Sequence, residues 1–121
     1  MKFELNNGVK IPAVGLGTWK SSSDDAYQAT LYALEAGYRH IDTAMIYRNE
    51  ADVGRAIRNS NISRKEVFIT SKVWNSDQGY EETIEACNES LKDLDMAIKK
   101  SGGKIPVTIS DIPNNIMTAV Q

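Results

Sequence analysis

Asp42, Tyr47 and Lys72 are the residues whose types and spacing point to a proton-transfer unit. A phenol alone releases its proton reluctantly near neutrality. An ammonium held within ~4–6 Å stabilises the phenolate left behind, and a carboxylate beside that ammonium keeps it charged and fixes its direction. Together the three make a coherent general acid for protonating a carbonyl oxygen. By residue type a plainer reading stays open. An Asp and a Lys on adjacent strands are more often a structural ion pair, and a tyrosine in a strand-to-helix loop is usually a half-buried lid residue. Trp74 divides in the same way between pocket wall and strand-end packing. The one histidine, His40, falls at the start of a strand, on the face away from this group, and is read as structural. Gly15-Leu16-Gly17 lacks the third glycine and the helix-opening spacing of a dinucleotide fingerprint. No metal site is expected.

The elements that must position these residues follow from the apolar pattern. Phe3 to Leu5 and Val9 to Ile11, joined through Asn6-Asn7-Gly8, read as a hairpin with a tight two-residue Asn-Gly turn. Ala13 to Trp19 is a short buried strand whose glycines allow a close approach at its C-terminal end. Ser21 to Ser23 offer N-caps to a helix running to about Ala36, with Ala26, Ala29, Ala33 and Ala36 as its inner stripe and Gly37 as its stop. Tyr38 to Ala44 is the second strand and about Glu50 to Ser60 the second helix. Val67 to Trp74 is the third strand. In the long helix from about Tyr80, Ile84, Cys87, Leu91, Leu94 and Ile98 mark one apolar face. Ile105 to Ile112 forms a fourth strand with Ile105, Val107 and Ile109 on one face, and Pro113-Asn114-Asn115 opens a last short helix. Asp42, Tyr47 and Lys72 then lie at or just after strand C-terminal ends, where parallel α/β proteins place chemistry.

The order β-α-β-α-β-α-β predicts an α/β fold with a parallel sheet. The 121 residues make a single domain, 41% apolar and 25% charged, enough to bury one core. Fourteen Lys and Arg against sixteen Asp and Glu leave a net charge of −2. That balance argues against nucleic-acid and anionic-membrane partners, which call for a basic patch. No apolar run approaches the ~20 residues of a membrane span. The first residues lack the apolar core of a secretion signal, and Cys87, the one cysteine, fits a reducing compartment. A cytoplasmic protein is expected. The length falls short of the ~250 residues of a full (β/α)8 barrel.

Three runs resemble the aldo-keto reductase family. Gly37-Tyr38-Arg39-His40-Ile41-Asp42-Thr43-Ala44, followed by Tyr47, Glu50, Val53 and Gly54, is similar to that family's first signature. Asn7 to Pro12 with Gly15-Leu16-Gly17-Thr18-Trp19 resembles its opening hairpin and first strand. Val67 to Asn75 resembles its third strand, and Asp77-Gln78-Gly79-Tyr80 its bacterial-type members. The resemblance covers residues 1 to about 94 and implies the N-terminal half of a (β/α)8 barrel preceded by a hairpin. It implies NADPH-dependent reduction of aldehydes and ketones, with Tyr47, Asp42 and Lys72 catalytic. Gly17, Thr18, Trp19 and Asp42 would bind the cofactor, Trp74 and Trp19 would line the substrate pocket, and Glu50 would be structural.

Residues 95–121 form a divergent tail carrying the fourth strand. The family's carbonyl-orienting histidine and its adenosine-phosphate site have no counterpart in the sequence. The expected protein is therefore a truncated reductase, weakly active or inactive alone, that forms a homodimer through open sheet edges. The alternative is a non-enzymatic half-barrel fragment, a splice-type variant or an engineered chimera that self-associates.

Overall fold

The computed structural model describes residues 1–94 in full and the backbone of residues 107–111 and 116–120. Strands β1 (Lys2–Glu4) and β2 (Lys10–Pro12) pair antiparallel as a separate hairpin. Its loop is longer than the two-residue turn expected from Asn7-Gly8. Gly8 N–H donates to Leu5 carbonyl at 2.9 Å and Leu5 N–H to Val9 carbonyl at 2.7 Å, enclosing three residues. Gly8 takes the positive φ of 83° that such a loop requires at its third position, and Asn7 instead accepts from Val9 N–H at 3.1 Å.

The main sheet has the order β3-β4-β5-β6-β7. Strands β3 (Leu16–Gly17), β4 (His40–Asp42), β5 (Phe68–Val73) and β6 (Val107–Asp111) run parallel, each beside the next. Helix α1 (Ser23–Glu35) joins β3 to β4, α2 (Glu50–Asn59) joins β4 to β5, and α3 (Tyr80–Asp93) follows β5. The expected fourth strand is thus present. The short helix expected after Pro113 is not: β7 (Ile116–Val120) pairs antiparallel with β6. So short a segment cannot nucleate a stable helix in isolation, whereas a neighbouring strand satisfies its backbone groups at once. The face assignments of Ile98, Ile105, Val107 and Ile109 lie outside the described residues.

Helix α1 starts where the serine run predicts, with Ser22 Oγ accepting from Asp25 N–H at 3.2 Å. It stops at Gly37, whose φ is 100°. Its inner face differs from an all-alanine stripe. Ala26, Thr30, Ala33 and Leu34 are buried, while Ala36 is exposed, because Leu34 offers more apolar area than a methyl. Helix α3 is rotated relative to expectation as well. Ala86, Ser90, Leu91 and Leu94 are buried, Cys87 is half-buried, and Ile84 is 48% exposed. The small Ala86 and Ser90 let α3 approach closely. Ser90 also bonds the buried Glu50 carboxyl, which Ser71 Oγ reaches at 2.5 Å. Burial raises the Glu50 pKa, and the two hydroxyls and Asp93 modify that shift.

One core holds these layers together. Ile41, Ile69 and Val73 from the sheet meet Leu34 of α1, Val53 and Ile57 of α2, and Leu91 and Leu94. Each such side chain contributes roughly 1.5–3 kcal/mol on burial, more than the ~1 kcal/mol of a cap like Ser22. Packing rather than capping therefore fixes where the helices lie. Since strand residues alternate in direction, the helix-facing Ile41 and Ile69 send Asp42, Thr70 and Lys72 to the opposite face.

Candidate active site

On that opposite face the register sets Asp42 beside Thr70, with Lys72 two residues further along β5. Lys72 Nζ ion-pairs with Asp42 Oδ1. It also donates to Thr43 carbonyl at 3.1 Å and to Tyr47 Oη at 3.5 Å. All three donors of the ammonium thus have a partner. The Lys72 side chain is 14% exposed and that of Asp42 is 36% exposed, so the pair sits at the rim of the sheet. Tyr47 ends a 3₁₀ turn, Met45–Tyr47, and its ring centroid is 5.2 Å from Lys72 Nζ. The structure brings together the three residues singled out as catalytic.

A hollow of about 510 Å³ opens next to them, lined by Trp19, Lys20, Ile46, Tyr47 and Trp74. Trp19 is 67% exposed, with the Lys20 ammonium 4.7 Å from its ring centroid. Both tryptophans thus line one hollow with Tyr47. Gly17 ends β3 beside Asp42 and has open space where a side chain would be. Thr18 differs: it is 1% exposed, its N–H donates to Asp42 carbonyl at 3.0 Å, and its hydroxyl is engaged with the same carbonyl at 3.1 Å. Its side chain holds the strand ends together rather than facing the hollow.

His40 corrects one expectation. It shares the face of Asp42, two residues earlier on β4, because strand side chains repeat every second residue. Its structural reading holds: Nε2 lies 2.8 Å from Thr70 Oγ1, and the ring meets Phe68 edge-on at 5.2 Å. Burial lowers its pKa, against an opposing pull from Asp42. A Cβ on Gly15 would come within 2.8 Å of the His40 ring, so glycine there makes room for it. Sequence reasoning missed Asn49 and Thr43, both buried beside the site. An asparagine at the head of a helix reads as a cap, and nothing in its neighbours signals otherwise.

An Asp-Lys pair reaching a tyrosine hydroxyl beside an aromatic hollow can deliver a proton to a bound carbonyl. The family model described as Aldo/keto reductase family matches residues 13–98. The chain belongs to this family. Among curated aldo-keto reductases, one from Mycolicibacterium smegmatis is 50% identical over 93 residues, which are 77% of this chain and 34% of that protein. The glycerol 2-dehydrogenase (NADP(+)) of Saccharomyces cerevisiae is 53% identical over 92 residues, 76% of this chain and 29% of that one. The chain thus spans about a third of the length of these relatives. Among solved structures, an aldo/keto reductase from Brucella melitensis superposes with a TM-score of 0.79 at 39% identity, covering 93% of this chain and 53% of that one. An aldose reductase from Schistosoma japonicum superposes at 0.74 with 44% identity, covering 78% and 33%. The fold is that of the N-terminal part of the family's (β/α)8 barrel. Among the described residues, no helix is long and apolar enough to cross a membrane.

Proposed function

We propose that this aldo-keto reductase chain carries the proton-donating side of a carbonyl reductase site, with aldehydes or ketones as substrates and NADPH as the reductant. The observation that carries the reading is Lys72 Nζ held at once by Asp42 and Thr43 and aimed at Tyr47 Oη from 3.5 Å. Tyr47 gives its hydroxyl proton to the carbonyl oxygen, and the nearby ammonium stabilises the charge left on the phenolic oxygen. Asp42 keeps the ammonium charged and pointed. Water then returns a proton to Tyr47. Trp19 and Trp74 shape the hollow for the carbonyl compound.

The strand end suits a flat heteroaromatic ring, since Gly17 leaves open space there and Trp19 presents an exposed ring beside it. When bound, NADPH supplies the hydride that reduces the carbonyl carbon to an alcohol. Gly17, Trp19 and Asp42 would hold its reactive end. Among the described residues His40 is engaged with Thr70 and Tyr47 is the donor beside the hollow, so slow turnover is expected. The charge balance and the single cysteine support a cytoplasmic setting.

Association completes the reading. Among the described residues strand β3 pairs only with β4, which leaves its outer backbone edge for a second copy of the chain. Assayed with NADPH and an aldehyde at rising protein concentration, the chain is expected to form alcohol in step with nicotinamide oxidation. Specific activity should rise across the range where size-exclusion chromatography shows monomer becoming dimer. Alcohol formation absent at every concentration would overturn the reductase reading, and a species that stays monomeric would overturn the association.

A further inference from the structure

We propose that Asn49 is a positioning residue of this site, its buried side-chain amide setting the loop that carries Tyr47. The proposal rests on Tyr47 being the proton donor and adds what keeps that donor in place. Asn49 is 1% exposed and stands at the N-cap of α2, yet its side chain makes no capping bond. Asparagine is among the best capping residues, so its amide has been diverted from the helix. Its Oδ1 accepts from Thr43 Oγ1 at 2.8 Å and lies 3.3 Å from Thr18 Oγ1, whose one proton is shared with Asp42 carbonyl at 3.1 Å. Its Nδ2 donates to Thr18 carbonyl at 2.9 Å and to Ser21 carbonyl at 3.3 Å. Both amide donors are used, and the oxygen has its short bond from Thr43.

The placement of those partners gives the tie its meaning. Thr43 and Asn49 are the two ends of the loop holding Tyr47, and the Thr43–Asn49 bond closes it. Inside the loop there are only the turn bonds Tyr47 N–H to Ala44 carbonyl at 3.0 Å and Arg48 N–H to Met45 carbonyl at 3.1 Å. Arg48 has a φ of 56°, a left-handed conformation that a non-glycine residue keeps only when its surroundings impose it. Tyr47 itself borders the open hollow. Thr43 carbonyl meanwhile accepts from Lys72, so donor loop and ammonium share one anchor. Thr18 extends the tie to the strand end bearing Trp19.

Amide hydrogen exchange and nuclear Overhauser contacts on the full chain test this. Thr43→Val keeps the shape of the side chain and replaces its hydroxyl with a methyl that cannot donate. It is expected to speed exchange at Tyr47 and Arg48 about tenfold, the ratio expected for one lost buried hydrogen bond, and to erase the contact between the Tyr47 ring and the Lys72 methylene next to Nζ. The amides of Ala36 and Leu94, at the ends of α1 and α3, should keep their protection. Thr43→Ser should restore the parent pattern. Asn49→Ala should loosen Thr18 as well as Tyr47, and if it fails to fold the Thr43 pair decides. Unchanged exchange at Tyr47 in Thr43→Val, a uniform rise that includes Ala36 and Leu94, or no recovery in Thr43→Ser would each overturn the proposal. Aldehyde reduction by the parent chain reports separately on the donor role of Tyr47, so its absence would count against that role and not against the loop tie.

Discussion

Gly54→Ala is expected to lower stability by about 3 kcal/mol or more, above the ~1–3 kcal/mol typical of overpacking. A Cβ at Gly54 would lie 2.2 Å from the carbonyl oxygen of Leu94 and 2.7 Å from its carbonyl carbon. These are backbone atoms and cannot swing aside as a side-chain end would. The Leu94 carbonyl is also held by Arg58 Nη1 at 2.9 Å, and the Leu94 side chain is fully buried in the core. Relief requires α2 and α3 to separate, opening the contact that Val53, Ile57 and Leu91 share. Helix propensity pulls the other way, since alanine is favoured over glycine in a helix by ~1 kcal/mol. The steric effect is larger. Against a total of ~5–15 kcal/mol for a domain, the loss should appear as a much lower denaturation midpoint by circular dichroism. A midpoint that stays put or rises would mean that propensity wins and that the close approach of the two helices is not enforced.

Lys72→Met should remove about 10²-fold or more of the rate of aldehyde reduction, the scale of one preorganised charge or general acid. Methionine keeps much of the apolar stem and deletes the ammonium. Tyr47 then loses its cationic neighbour and Asp42 its ion pair. The fold should survive, because the Asp42 side chain is 36% exposed and water can take over its solvation. Activity and thermal stability are thus expected to separate, with the first falling far and the second little. A variant that keeps its rate to within about threefold, well short of a general acid's usual contribution, would leave the ion pair a purely structural feature, the plainer of the two readings open from residue type.

Much of this site was legible in the sequence because its three polar residues sit at or just after strand ends, and strand ends are easy to find. The β-branched and aromatic run from Val67 to Trp74 identified β5, observed as Phe68–Val73. Gly37 and the serines before α1 marked helix ends through local backbone needs that no distant contact overrides. The misses share a cause in contacts between segments far apart in sequence. The apolar spacing of Ile84, Cys87 and Leu91 suggested one face for α3, but Ser90 turns toward Glu50, 40 positions away, and leaves Ile84 in solvent. Asn49 drew no attention in the sequence because its helix is its neighbour there, whereas its partners Thr18 and Ser21 follow a different strand, β3. The antiparallel β7 is set by the free edge of β6, which no local pattern announces.

The claim on which the rest depends is that the Tyr47 hydroxyl supplies the proton. The most direct measurement compares the parent chain with Tyr47→Phe, following alcohol formation from an aldehyde and, in the same samples, quenching of nicotinamide fluorescence on NADPH addition. The expected result is quenching that is unchanged with alcohol formation lower by about 10²-fold or more. Equal rates of alcohol formation in the two proteins would contradict it.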